Sequence, residues 1–140
     1  MSQFVLDCSM TMAWCFEDEK TPPAEKFLGS LMAGSRALTP SIWPLEVANV
    51  LLVAERRKRI TRLDTARYIS LLQRLPIEIE TESLLRTVRD VLTLGREQNL
   101  SAYDAAYLEL ALRKSVPLAT LDKKLRQAAK RLHIPLATGQ

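Results

Sequence analysis

Histidine occurs once in these 140 residues, cysteine twice and glycine four times, and each scarcity removes a class of chemistry. His133 is far along the chain from Cys8 and Cys15, so a zinc site built from nitrogen and sulfur ligands is not expected. The two cysteines fall in what reads as one helix, where seven residues rise about 10 Å. A disulfide needs Cα atoms within about 7 Å, so both are expected as free thiols of a reducing compartment. None of the glycines follows the first strand, which argues against the glycine-rich turn that cradles a dinucleotide. Apolar runs stop short of the roughly 18 residues that a membrane span requires. The N-terminal MSQFVLDCS has no basic stretch ahead of an apolar one and does not read as a secretory signal. The expectation is a cytoplasmic protein with no membrane segment.

What remains is an ordinary globular composition, 47% hydrophobic and 26% charged, with a net charge of +4 and a sequence pI near 9.3. A chain of this length buries roughly 68–70% of its unfolded surface and needs no covalent staple. With no repeat, low-complexity stretch or linker, residues 1–140 are expected to form one domain. The mild basic excess tolerates a polyanion such as RNA without demanding one.

The hydrophobic pattern predicts alternating strands and helices. Phe4-Val5-Leu6 reads as a buried first strand ended by Asp7, followed by a helix from Cys8 through about Phe16 and a charged turn at Glu17–Lys20. Pro22-Pro23 opens a helix that runs to Gly34, where the missing N–H of proline costs little. Arg36–Thr39 is a second strand; Ser41 then caps a long helix from Ile42 to Arg59. A helix from Thr61 or Arg62 is stopped at Pro76. Ile77-Glu78-Ile79-Glu80 alternates as a third strand with one face less buried. Helices follow from Leu84 to about Arg96 and from Ser101 to before Pro117. Leu118-Ala119-Thr120 is a fourth strand, Leu125 to Leu132 a last amphipathic helix, and Ile134–Ala137 an optional edge strand. This order predicts an α/β fold, a three-layer α/β/α sandwich around a parallel sheet of four to five strands.

In such a sheet, helix N-termini and strand C-termini meet along one edge, where ligands sit. Asp7 follows the first strand, Glu46 lies in the first turns after the second, Asp104 opens its helix and Asp122 follows the fourth strand. Each has a plainer reading. Asp7 and Asp122 suit helix N-caps, Ser101-x-x-Asp104 resembles a capping box, and Glu46 suits a helix dipole. Together the four are harder to explain so, because like charges gathered at one rim repel. A divalent cation removes the repulsion, and oxygen-only ligands suit Mg²⁺ or Mn²⁺.

The segments Phe4–Ser9, Pro44–Leu51, Ser101–Tyr107 and Ala119–Asp122 resemble the acidic motifs of PIN-domain nucleases, and more narrowly those of VapC-type ribonuclease toxins of toxin–antitoxin pairs. The likeness covers almost the whole chain, with the motifs in order. It implies a Mg²⁺- or Mn²⁺-dependent endoribonuclease, a homodimer neutralised by a cognate antitoxin protein, and products carrying a 5′-phosphate and a 3′-hydroxyl. It implies that Asp7, Glu46, Asp104 and Asp122 are catalytic, that Asp7, Asp104 and Asp122 ligate the metal, and that Glu46 acts through a water. Ser9 and Thr120 match the hydroxyl positions supporting the first and last acids, and Asn49 the polar position one turn beyond the glutamate. Cys8 stands where a small residue is common.

Other candidates carry less. Arg56–Arg59 and the series Lys123, Lys124, Arg126, Lys130 and Arg131 are read as solvated faces that can also meet RNA phosphates, the second more readily because it adjoins Asp122. Trp14 and Trp43 are read as core in preference to base-stacking platforms, Tyr103 and Tyr107 as structural, and Glu17–Glu19 as a solvated turn. A haloacid-dehalogenase-type phosphatase would need an acid at position 9, which is Ser9. The serious alternative is a catalytically idle PIN-like module that binds RNA or protein.

Overall fold

The computed structural model describes residues 2–138; the expected domain limits at 1 and 140 lie outside them. Four parallel strands, β1 (Gln3–Leu6), β2 (Arg36–Thr39), β3 (Ile77–Ile79) and β4 (Leu118–Ala119), form one sheet in the order β3-β2-β1-β4. The chain steps outward from β1 to β3, then returns to place β4 on the other side of β1. That reversal opens a crevice between β1 and β4 at the C-terminal edge. The register pairs Leu6 with Ala119, so the residues after each strand emerge side by side.

The helices are α1 (Cys8–Met12), α2 (Pro22–Met32), α3 (Trp43–Arg56), α4 (Arg62–Arg74), α5 (Leu92–Gln98), α6 (Ala102–Lys114) and α7 (Lys123–Arg131). They cover the sheet as the expected three-layer α/β/α arrangement. α6 lies on β1 and β4, with α5 and α7 against it, while α1 packs on α3. Every residue of α6 from Ala105 to Ala111 is buried. A helix buried all round belongs in the centre of a fold, and this one runs its N-terminus back to the C-terminal edge of β4.

Several boundaries differ from expectation. α1 ends at Met12, not near Phe16, because the Trp14 and Cys15 N–H groups bond to carbonyls three residues back, tightening the turn so that Trp14 Nε1 reaches the Ala24 carbonyl at 2.7 Å. α2 stops at Met32. α3 stops at Arg56, and Ser41 does not cap it; Ile42 occupies the cap without a side-chain bond. Past the end, Lys58 turns left-handed (φ 57°) and Arg59 is drawn to Asp18 (2.6 Å) and Glu19 (2.8 Å) while lying over the Phe16 ring. α5 is preceded by a π-helical turn at Arg86–Val91. The expected edge strand is a single bridge, Leu118 to Leu136, since Pro135 has no N–H to extend a ladder.

The short α1 is fastened by Thr11, which is fully buried. Its hydroxyl donates to the Asp7 carbonyl (3.1 Å) and accepts from Trp43 Nε1 (3.0 Å), and its carbonyl accepts from the Tyr68 hydroxyl. Both tryptophans are buried with their N–H groups satisfied, so they are core. Replacing Thr11 by the isosteric Val strands the Trp43 indole N–H. Urea unfolding should show a loss of about 1–3 kcal/mol, the cost of an unmet buried donor.

Candidate active site

Each predicted acid reaches the C-terminal edge by a separate local device. Asp7 is the first residue past β1; its N–H bonds to the Ala119 carbonyl (3.0 Å), locking it beside β4. It is 5% exposed. Although Asp7 occupies the N-cap of α1, its carboxylate makes no capping bond. Instead Oδ2 accepts from the Ser9 hydroxyl (2.6 Å) and the Thr120 hydroxyl (2.7 Å). Thr120 leaves the sheet one residue earlier than expected to do this, and its oxygen also accepts from the Asp122 N–H (3.0 Å). Ser9 accepts in turn from the Leu121 N–H (3.0 Å). The two hydroxyls thereby tie the segment after β4 to the segment after β1.

Asp104 sits in the first turn of α6, whose N-cap Ser101 accepts from the Asp104 N–H (3.1 Å). Glu46 lies in the first turns of α3 and accepts a short hydrogen bond from the Tyr107 hydroxyl. Asp122 keeps its plainer role in part: Oδ1 accepts from the Leu125 N–H (2.9 Å) and caps α7. Asn49 is exposed, and its side chain has no hydrogen bond among the described residues.

Electrostatics join the acids. Burial pushes the Asp7 carboxyl above the ordinary carboxylate range, against the lowering effect of Ser9 and Thr120, and the charge of Asp104 adds to the rise. Glu46 is raised by burial, with Tyr107 opposing and Asp7 and Asp104 adding. Asp104 is raised by burial and by Asp122, with Ser101 and Lys124 opposing. The chain of influence therefore runs through all four. None of them forms an ion pair among the described residues. Glu109, equally buried at 5%, instead receives Arg113 at 2.9 Å. The fold can neutralise a buried acid, and at this edge it does not.

This donor set suits a hard divalent cation: carboxylate and hydroxyl oxygens, no imidazole, and excess negative charge. The nearest thiol, Cys8, is buried and pushed up to about 12 by that burial and by Glu46 and Asp7, so it is no soft ligand at neutral pH. Cys15 is likewise a free thiol, raised to about 11. Among the described residues no three of His, Cys, Asp and Glu stand close enough to hold an ion as they are, so binding would draw the side chains together.

The other candidates divide. Glu17–Glu19 form a 3₁₀ turn paired with Lys20 and Arg59 and add nothing to the acids. Lys124 is felt by Asp104, and Arg126 donates to the Thr120 carbonyl (3.1 Å), which puts positive charge beside the quartet. Tyr103, expected to be structural, is 61% exposed. Tyr107, expected in the same role, touches the quartet directly; its position one turn past Asp104 on the same helix was the available signal.

The chain belongs to the PIN domain family, which it matches over residues 4–131. PIN domains are in general metal-dependent nucleases. The chain is also similar to a protein of known crystal structure, PAE2754 from Pyrobaculum aerophilum, with a TM-score of 0.69 and 20% identity over 91% of this chain and 86% of that one, a likeness of fold. No curated protein matches the sequence.

A carboxyl raised in the folded state binds its proton more tightly there than in the unfolded chain. Each such group therefore lowers stability as pH climbs from its ordinary value, 3.8 for Asp and 4.5 for Glu, to the raised one. Thermal unfolding in EDTA between about pH 4 and 8 should show this fall, and Asp7→Asn, which cannot ionise, should flatten it. An identical pH profile in wild type and variant would contradict the assignment.

Proposed function

We propose that this protein is a Mg²⁺- or Mn²⁺-dependent endoribonuclease and the toxin of a toxin–antitoxin pair. One observation carries the reading: four carboxylates from separate segments share an edge, feel one another's charge and lack ion-pair partners among the described residues. Asp7, Asp104 and Asp122 would hold the ion, with Glu46 one water away. A divalent ion, when bound, supplies Lewis acidity to the phosphoryl oxygens and lowers the pKa of water.

The remaining steps belong to the chain. Ser9 and Thr120 fix Asp7 Oδ2, so the carboxylate keeps its aim under repulsion. Glu46 orients the attacking water on the in-line path and takes its proton. Lys124 and Arg126 hold the RNA backbone through its phosphates, which position the strand without reading sequence. Products carry a 5′-phosphate and a 3′-hydroxyl. The toxin role rests on the motif resemblance, as do the antitoxin and the homodimer. Exposed Leu45, Val88, Leu92 and Tyr103 around a cavity of about 460 Å³, next in sequence to Glu46 and Asp104, favour a protein partner there. The free thiols and the absence, among the described residues, of any helix long and apolar enough to cross a membrane accord with action in the cytoplasm.

The spacing of the acids gives the idle RNA- or protein-binding module its one specific support. Cleavage of an RNA oligonucleotide with and without Mg²⁺ separates the two. Asp7→Asn and Asp104→Asn should each lose at least about 100-fold in rate with the fold intact. Metal-dependent cleavage retained in both variants would overturn the assignment of the acids, and no cleavage by the wild-type protein with Mg²⁺ or Mn²⁺ would overturn the enzyme reading. Growth arrest on expression, relieved by a co-expressed neighbouring gene product, tests the toxin role.

A further inference from the structure

We infer that Tyr107 is a positioning residue for Glu46, and that α6 thereby sets two members of the quartet, Asp104 directly and Glu46 through the tyrosine hydroxyl. The inference rests on the endoribonuclease reading and adds a residue to it.

The Tyr107 ring is 0% exposed, in the helix buried on all sides. Its hydroxyl is its one side-chain polar atom, and it donates to Glu46 Oε1, which is delivered by α3, the helix that follows β2. Among the described residues Glu46 has no salt bridge, and it faces the charges of Asp7 and Asp104. Repulsion alone would swing this half-buried carboxylate outward, away from the other acids. A neutral O–H donor holds it in place without cancelling its charge. An Arg in the same place would fix the carboxylate but neutralise it, as Arg113 does for Glu109. Tyr107 lies three residues after Asp104, on the adjacent turn of the same helix face. A rigid, buried helix therefore fixes the spacing between Asp104 and Glu46, two acids that are distant in sequence.

The plainer account is that Glu46 merely satisfies a buried phenol, which needs an acceptor wherever it is placed. The two accounts differ in what removal of the hydroxyl does. Tyr107→Phe keeps the ring and its packing, so the fold should survive. Tyr107→Phe, Glu46→Gln and the double variant are compared by kcat and KM on an RNA oligonucleotide with Mg²⁺, by Mn²⁺ affinity from calorimetry, and by thermal unfolding. Tyr107→Phe should lower kcat roughly 10- to 100-fold with KM changed less than about twofold, the signature of a misplaced group. It should weaken Mn²⁺ binding severalfold and add no further loss of kcat in the Glu46→Gln background. If Glu46→Gln loses activity while Tyr107→Phe keeps it, or if the two losses multiply, Tyr107 is only a core residue. No Mg²⁺- or Mn²⁺-dependent cleavage by the wild-type protein would instead remove the nuclease reading itself, and the positioning role with it.

Discussion

A carboxylate taken out of water without a cation beside it is among the most expensive groups a protein can hold. Asp7 is such a group. It sits at the crevice between β1 and β4, as buried as Glu109, yet its partners are two hydroxyls and the Cys8 N–H where Glu109 has an arginine. Hydrogen bonds from Ser9 and Thr120 offset part of the desolvation cost, but they leave the negative charge in place, and Asp104 adds to it. The remaining deficit is what a divalent ion would remove. The rest of the edge follows from it: Glu46 and Asp104 are each raised by burial and by their acidic neighbours, and no lysine or arginine pairs with them among the described residues.

Maintaining that arrangement falls to the parts of the fold with no charge of their own. Residues Ala105–Ala111 of α6 are buried throughout, so the helix has little freedom to slide and its first turn stays at the strand ends. Thr11 fastens α1 to α3 and α4 through Trp43 and Tyr68, which keeps the short helix after Asp7 from drifting. Gly95 permits the close approach of α5 to the α6 entry, since a Cβ there would stand 3.1 Å from the Leu100 carbonyl. Dense packing behind the acids is the means by which a repulsive cluster remains assembled.

Much of this was legible in residue order. Short apolar runs ending in Asp7 and before Asp122 marked two adjacent strand ends, and the βα alternation placed Glu46 and Asp104 on the same rim. The sequence left two readings open for each acid, and the structure separates them unequally. Asp7 makes no capping bond, whereas Asp122 does cap its helix. Helix lengths were less legible because tertiary contacts set them: Trp14 shortens α1 by reaching Ala24, and Arg59 leaves the α3 line for Asp18 and Glu19. Tyr107 was hidden for a related reason. A tyrosine in a buried helix reads as core; its place one turn past Asp104 hinted at the site, and the approach of α3 identifies the carboxylate it meets.

The most direct test of the central claim is calorimetric titration of Mn²⁺ into the protein in two buffers of different ionisation enthalpy at each of several pH values between about 4 and 7. If the carboxylates of this edge hold the ion, binding should release protons, because groups raised by burial and repulsion must ionise to ligate. Heat that is independent of buffer at every pH, or no binding at millimolar Mn²⁺, would contradict the account.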